Sequence, residues 1–286
     1  MKRLSIVMTL KNRAKLLHRS LAALCFWQTF NTSQVELVLV DDDSEDRDEL
    51  TELVELFGGF FYRVVLIRMD KKLSRIPVYF NNPALGINIA VKAAENDIIY
   101  KTDPECLPLS ETVLSALALF DPAAITFFSV RLLNEIETKR FSLNALAAKH
   151  PVSICDSELT DLPDLWFISE RHRRPYWYGA VFSRELFMKI GGVDEEFLRG
   201  FAGEDDDWAE RMQRAGADWR WNDSLRILHL YHGAENKRHH LSPAHTANIS
   251  RLEESRRQAR VVANEGYDWG SSEVVTGKSV FDDIVC

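Results

Sequence analysis

Val35-Glu36-Leu37-Val38-Leu39-Val40-Asp41-Asp42-Asp43 is the stretch on which the fold turns. Val35 to Val40 is a short, valine-rich apolar run and reads as a buried β-strand. It ends directly in acid: Asp41, Asp42, Asp43, Glu45, Asp46 and Asp48 form one cluster. On its N-terminal side, Leu4 to Leu10 reads as a second buried strand. Asn12 is placed to cap the helix that follows, in which Leu16, Leu17, Leu21 and Leu24 recur at helical spacing. On its C-terminal side, Leu50 to Phe57 suits a helix stopped by Gly58 and Gly59, and Tyr62 to Arg68 suits a strand. Asn88 to Ala94 reads as a helix before the strand Ile98 to Lys101. That strand runs into Thr102-Asp103-Pro104-Glu105, where Pro104 cannot donate to a ladder and should stop it.

Four alternations of strand and helix predict an α/β fold, with a mostly parallel central sheet flanked by helices. Ligands of such sheets bind at the carboxyl ends of the strands. Acidic clusters at two strand ends therefore speak of function as well as solubility. Farther along, Phe141 to Pro175 has no clear period and reads as loops with a helix, a candidate lid. Ala180 to Phe187 leads to Gly191-Gly192. A third acidic block opens a helix through Met212, closed by Gly216. Leu225 to His232 reads as a last strand and Asn248 to Asn264 as a polar helical tail. No repeat or low-complexity linker divides the chain. The expected organisation is one domain over 1–235, with halves at 1–105 and 106–235, and a C-terminal helical extension over 236–286.

Composition narrows the function. The 286 residues are 46% hydrophobic and 27% charged, which is ordinary for a folded globular chain. A net charge of -8 argues against a broad grip on nucleic acid. The four cysteines, at 25, 106, 155 and 286, fit no zinc spacing and suit a reducing, cytoplasmic setting. Met1 to Leu10 is too short an apolar run for a signal peptide or a membrane span, and no later run is long enough. Any membrane contact is expected to be peripheral.

Four groups of residues carry candidate chemistry. Asp42, at a strand end with Thr9 nearby, can accept from a nucleobase N–H or a ribose hydroxyl. The plain alternative is a solvated, capped turn. Asp103 and Glu105 are hard oxygen ligands on one loop, suited to Mn²⁺ or Mg²⁺ beside a diphosphate, or else members of a capped turn before a helix near Ser110. Glu204-Asp205-Asp206-Asp207 repel one another. A helix N-terminus offsets part of that cost, and one of these acids can serve as a general base. His229 and His232, three apart, can supply a metal ligand. His239 and His240 read as solvated. Trp166, Tyr176, Trp177 and Tyr178 could stack on sugar rings or fill the core.

Taken together these segments resemble the GT-A class of glycosyltransferases, especially the large inverting family 2. Ser5 to Thr9 through Gln28-Thr29-Phe30 is similar to that family's opening strand and helix. Val40-Asp41-Asp42-Asp43-Ser44-Glu45-Asp46 resembles its Val-Asp-Asp-Gly-Ser-x-Asp turn, and Asp103-Pro104-Glu105 its Asp-x-Asp motif. Gly191-Gly192-Val193-Asp194-Glu195-Glu196-Phe197 and Gly203 to Trp208 resemble segments of galactosyltransferases and chondroitin-polymerase-like enzymes. Lys11, Asp43 and Glu105 depart from the family pattern: Lys11 stands where many members have a base-stacking aromatic, Asp43 where the turn has glycine, and Glu105 where the metal motif has Asp.

The resemblance implies a transfer, with inversion, from a nucleotide-sugar donor, a UDP-sugar foremost, to a hydroxyl of a glycan or similar acceptor. It implies Asp205 as the catalytic base. It implies nucleotide contacts at Thr9, Leu10, Asn12, Arg13, Asp42, Asn88 and Asp103, and a Mn²⁺ or Mg²⁺ site at Asp103, Glu105, His229 and His232. It places the acceptor at Trp177, Tyr178, Gly179, Glu204 and Asp206. Two rivals remain at this point. A nucleotidyltransferase would share the sheet and the metal, but Leu10 to Lys15 contains no glycine-rich phosphate loop. A non-catalytic sugar-binding or scaffold protein would not need intact acids at all three clusters.

Overall fold

The computed structural model describes residues 2–69, 82–139, 166–233, 242–266 and 268–271. Its first half follows the alternation in the sequence: β1 (Leu4–Leu10), α1 (Ala14–Trp27), β2 (Val35–Asp41), α2 (Arg47–Phe57), β3 (Arg63–Arg68), α3 (Ala84–Ala93) and β4 (Ile98–Thr102). Every residue of β2 is buried, and so is every residue of β4. Strands covered on both faces carry continuous apolar runs, which is why these were legible. In α1, Leu17, Leu21 and Leu24 form the buried stripe. Glu36 is tolerated inside β2 because the Ser5 hydroxyl and the Arg63 guanidinium both donate to it.

The second half adds β5 (Cys106–Pro108), α4 (Thr112–Leu119), β6 (Ala124–Leu132), β7 (Gly179–Ser183), α5 (Arg184–Lys189), α6 (Glu204–Arg214), β8 (Asp218–His229) and α7 (Pro243–Arg257). All eight strands join one sheet in the order β3-β2-β1-β4-β7-β6-β8-β5. β3, β2, β1 and β4 are mutually parallel, β7 runs antiparallel to β4 and β6, β8 is parallel to β6, and β5 is antiparallel to β8. Two apolar cores lie on the sheet: one centred on Leu17, Leu37 and Tyr100, the other on Val38, Ile87, Phe182 and Trp208. α3 can lie close on β1 because Gly86 has no side chain, and a Cβ there would sit 2.8 Å from Thr9 Cγ2.

Several elements differ from the sequence expectation. β8 begins at Asp218 and ends at His229, so His232 lies beyond the strand instead of within it. The tail helix spans Pro243–Arg257, earlier than Asn248 to Asn264, because Ser242 caps it through the backbone N–H of His245 and Pro243 opens its first turn. β6 was not foreseen, and the helix near Ser110 is α4. Of the lid candidate Phe141 to Pro175, residues 141–165 lie outside the described residues, as do His239 and His240. No helix among the described residues is long and apolar enough to cross a membrane.

The segment after α7 is sewn into the domain. Asn264 Nδ2 donates to the carbonyls of Gly191 and Val193, each at 2.7 Å, and its Oδ1 accepts from Glu195 N at 3.0 Å. Gly191 is left-handed at φ 74°, and a Cβ on it would stand 2.1 Å from the Ala263 carbonyl oxygen.

Candidate active site

The carboxyl ends of β1 and β2 are stitched to each other. The Asp42 N–H donates to the Leu10 carbonyl at 2.8 Å. Asn12 does not cap α1. It takes φ 52°, its N–H donates to Ser44 Oγ at 2.8 Å, and its Oδ1 accepts from Glu45 N at 2.7 Å. The first turn of α1 is satisfied from across the gap, where Asp46 Oδ2 accepts from Ala14 N at 2.9 Å. Asp43 adopts the left-handed φ of 57° that glycine usually supplies, and its side chain pairs with Arg47 one helical turn on. Asp41 is fully buried, and desolvation raises its carboxyl above the usual range. Asp42 remains at the rim, 4.0 Å from Lys11 Nζ.

Asp103 and Glu105 follow β4 in a turn closed by Cys106 N donating to the Asp103 carbonyl at 2.9 Å. Antiparallel pairing sets Cys106 opposite His229, so the end of β8 lies directly beside this turn. Glu105 Oε1 stands 3.7 Å from His229 Nε2 and 3.3 Å from His232 Nε2. One atom of each of the three lies within 4.8 Å of the others, a possible metal-ligand group. Burial first, and the Asp103 charge second, push the Glu105 carboxyl up to about 7. Burial, helped by His232, pushes His229 down to about 3, which keeps its imidazole neutral and able to ligate. Arg13 Nη2 lies 3.2 Å from His232 Nδ1. Asp103 lies outside the converging group, and its Oδ1 is held at 2.6 Å by Lys101 Nζ.

The acids of α6 divide by helical phase. Glu204, Asp207, Trp208 and Arg211 face inward, whereas Asp205 and Asp206 are only partly covered. Asp207 is fully buried: its Oδ2 accepts from Arg211 Nε at 2.7 Å and its Oδ1 from the Ser255 hydroxyl at 2.5 Å. Glu204 accepts from Asn82 Nδ2 at 3.0 Å. Burial, then the charges of Glu204 and Asp206, raise Asp205 well above the ordinary aspartate value. Burial first, then the charges of Asp103 and Asp205, raise the Tyr178 phenol. Its ring also meets His229 edge to face at 4.9 Å.

Three expected contacts are corrected by the structure. Asn88 is fully buried in α3, with Nδ2 bonded to the Val193 carbonyl and Glu195 Oε1 and with Oδ1 accepting from Val193 N. Its amide is used up in bracing the Gly192–Glu195 loop and offers nothing to a nucleotide. Trp177 packs in the core against Trp208 at 5.0 Å, which removes it from an acceptor surface. Gly179 is buried in β7, where a Cβ would meet Ile227 and Phe128 at 2.9 Å, so its role is close packing of strands. Leu10, Asn12 and Asp42 lie at the joined ends of β1 and β2, and Glu204 and Asp206 flank Asp205 in the first turn of α6. The sequence reading missed Lys101, whose only signal was a charge inside an otherwise apolar strand.

A parallel first half, acids at its strand ends and a carboxylate–imidazole cluster beside them are the arrangement of the GT-A class of glycosyltransferases. Residues 5–160 match the sequence profile of glycosyl transferase family 2, and the chain belongs to that family. Membership of that family speaks for sugar transfer and against the nucleotidyltransferase reading. Similar solved structures include the mannosyltransferase PcManGT from Pyrobaculum calidifontis in complex with GDP-Man and Mn²⁺, at 18% identity and a TM-score of 0.56, over 88% of this chain and 65% of that one. S. aureus TarS 1–349 in complex with UDP-GlcNAc is similar at 14% identity and a TM-score of 0.57, over 82% of this chain and 60% of that one. The chain thus spans under two thirds of these relatives, and at such identities the likeness is one of fold. No curated protein matches it in sequence.

Proposed function

We propose that the protein transfers a sugar, with inversion, from a UDP-sugar to a hydroxyl of a glycan acceptor and that it needs a divalent cation. The observation that carries this is the convergence of Glu105, His229 and His232 beside the end of β4, with the Tyr178 ring 4.9 Å from that of His229. The neighbours in complex with GDP-Man, Mn²⁺ and UDP-GlcNAc support a nucleotide-sugar donor.

The donor set fits a metal: one carboxylate oxygen and two imidazole nitrogens converge, and the mixed set suits Mn²⁺ better than the all-oxygen preference of Mg²⁺. Glu105, His229 and His232 would hold the ion. When bound, it would supply positive charge to the leaving diphosphate. Asp42 accepts from the base edge at the β2 rim, with Thr9, Leu10 and Asn12 shaping the slot. Arg13, at that same rim, can donate to a phosphate. Asp205 takes the proton of the acceptor hydroxyl as that oxygen attacks the anomeric carbon, and its raised pKa makes it a stronger base than an ordinary aspartate. Glu204 and Asp206 hydrogen-bond the acceptor, and Tyr178 walls the pocket between donor and acceptor. The ordinary setting for such an enzyme is the cytoplasm, in polysaccharide assembly, with at most peripheral membrane contact.

Calorimetric titration with UDP-sugars and GDP-sugars, with and without Mn²⁺, tests donor and metal together. Metal-dependent binding of a UDP-sugar, followed by UDP release on adding acceptor, is the expected result. Equal binding in EDTA would remove the metal from the reading.

A further inference from the structure

We propose that Lys101 is a built-in cation that holds Asp103 out of the metal's coordination, leaving Glu105, His229 and His232 as the protein's ligands. This rests on the metal-dependent reading above and assigns a positioning role to a residue inside the sheet. β4 reads Ile98-Ile99-Tyr100-Lys101-Thr102, and the lysine stands in register with Val7 of β1 and Ala180 of β7, in the middle of the sheet. Its side chain is 1% exposed. A lysine so placed cannot snorkel to water and must keep a counter-charge. It has one: Nζ lies 2.6 Å from Asp103 Oδ1, with the Trp177 ring 5.5 Å away on another side.

Carrying Asp103 to a metal would strand that buried ammonium, and breaking a buried pair by removing one partner is strongly unfavourable. The placement of the other groups agrees. Glu105, His229 and His232 converge within 4.8 Å while Asp103, two residues from Glu105, does not join them. Lys101 thereby sets both the charge and the number of the ligands. With Asp103 neutralised by its lysine, one carboxylate faces the ion instead of two. A weaker grip leaves the ion free to leave with the diphosphate product.

The test is Mn²⁺ binding to the donor-free protein, read from loss of the free-ion electron paramagnetic resonance signal. Lys101→Met keeps the volume and removes the charge. It should tighten Mn²⁺ by about tenfold or more, the scale on which groups behind the ligands act. Lys101→Met/Asp103→Asn should return to within about threefold of wild type, and Lys101→Arg should stay there. Unchanged or weaker affinity in folded Lys101→Met overturns the proposal. So does a gain that survives undiminished in the double variant, since Asp103 would then not be the recruited ligand. Should Lys101→Met not fold, Asp103→Asn alone decides: an affinity within about threefold of wild type supports the proposal, and a tenfold loss refutes it. Failure of the wild type to bind Mn²⁺ at all would be distinct, and would bring down the metal reading and this inference with it.

Discussion

Asp207→Asn separates the two roles the acidic block can play. Both side chains of the Asp207–Arg211 pair are 0% exposed. The Arg211 guanidinium also donates to the carbonyls of Ile190 at 2.9 Å and Gly192 at 2.8 Å, and Asp207 is approached by Arg260 at 3.5 Å. Neutralising the carboxylate therefore leaves two cations around a site that water does not reach. Breaking a buried pair costs about 3 kcal/mol at the lower end of measured cases. For a chain of 286 residues, that lowers the melting temperature by about 5 °C. Differential scanning calorimetry with and without UDP is the assay, with acceptor KM measured beside it. The expected pattern is a lower melting temperature with near-normal acceptor KM below the transition. A normal melting temperature with weakened acceptor binding would refute the argument, because Asp207 would then face the substrate and not the core.

Asp205→Asn should lower turnover by about 10² to 10⁴-fold while UDP and Mn²⁺ binding persist. A base acts ionised, so activity falls as pH drops through its pKa. Since that pKa is raised, the acid limb of the kcat/KM profile should lie above the ordinary aspartate range, and full activity at pH 4.5 would contradict the assignment. Mn²⁺ must compete with a proton on Glu105, whose carboxyl is pushed up to about 7. Affinity should thus be about 30-fold weaker at pH 5.5 than at pH 8.5; calorimetric titrations showing no such slope would place the ion elsewhere. Asp42→Ala should weaken UDP by about tenfold, the loss of roughly one charge-assisted hydrogen bond, with little change in stability. Unchanged affinity in the folded variant would remove Asp42 as the base reader.

The first half was legible because β1, β2 and β4 are apolar runs that end in acid, and burial on both faces leaves that mark in sequence. β6 was not, because Ser129 and Arg131 interrupt its apolar character. Ser129 donates to Asp223, ninety-four residues on, and Arg131 donates to Glu137, six residues on. β8 starts seven residues ahead of Leu225 because its first half, Asp218 to Ser224, carries polar residues among its tryptophans and is half exposed. Within the site, the Glu105–His229–His232 group follows from the pairing of β5 with β8, which sequence spacing does not reveal. The resemblance already singles out Asp205 in the acidic block; the phase of α6 adds that Asp207 faces inward while Asp205 is only partly covered. Asn88 and Trp177 went astray for one reason: an amide or an indole suited to a ligand is equally suited to bracing a loop or filling a core.

The binding of residues 242–271 to the loop and helix before them has a consequence for the order of synthesis. Asn248 Nδ2 donates to the Phe197 and Ala202 carbonyls at 3.0 Å each, Ser255 meets Asp207, and Asn264 clasps Gly191 and Val193. All of these partners leave the ribosome after the acids they secure. A growing chain can complete β1 to β4 well before α6 is sealed. Ala202 and Gly203, both left-handed just ahead of Glu204, gain the Asn248 bond to the Ala202 carbonyl only after α7 is made. Sealing of the acidic helix is therefore a late event in the life of each molecule, and a chain clipped before Ser242 would lack it.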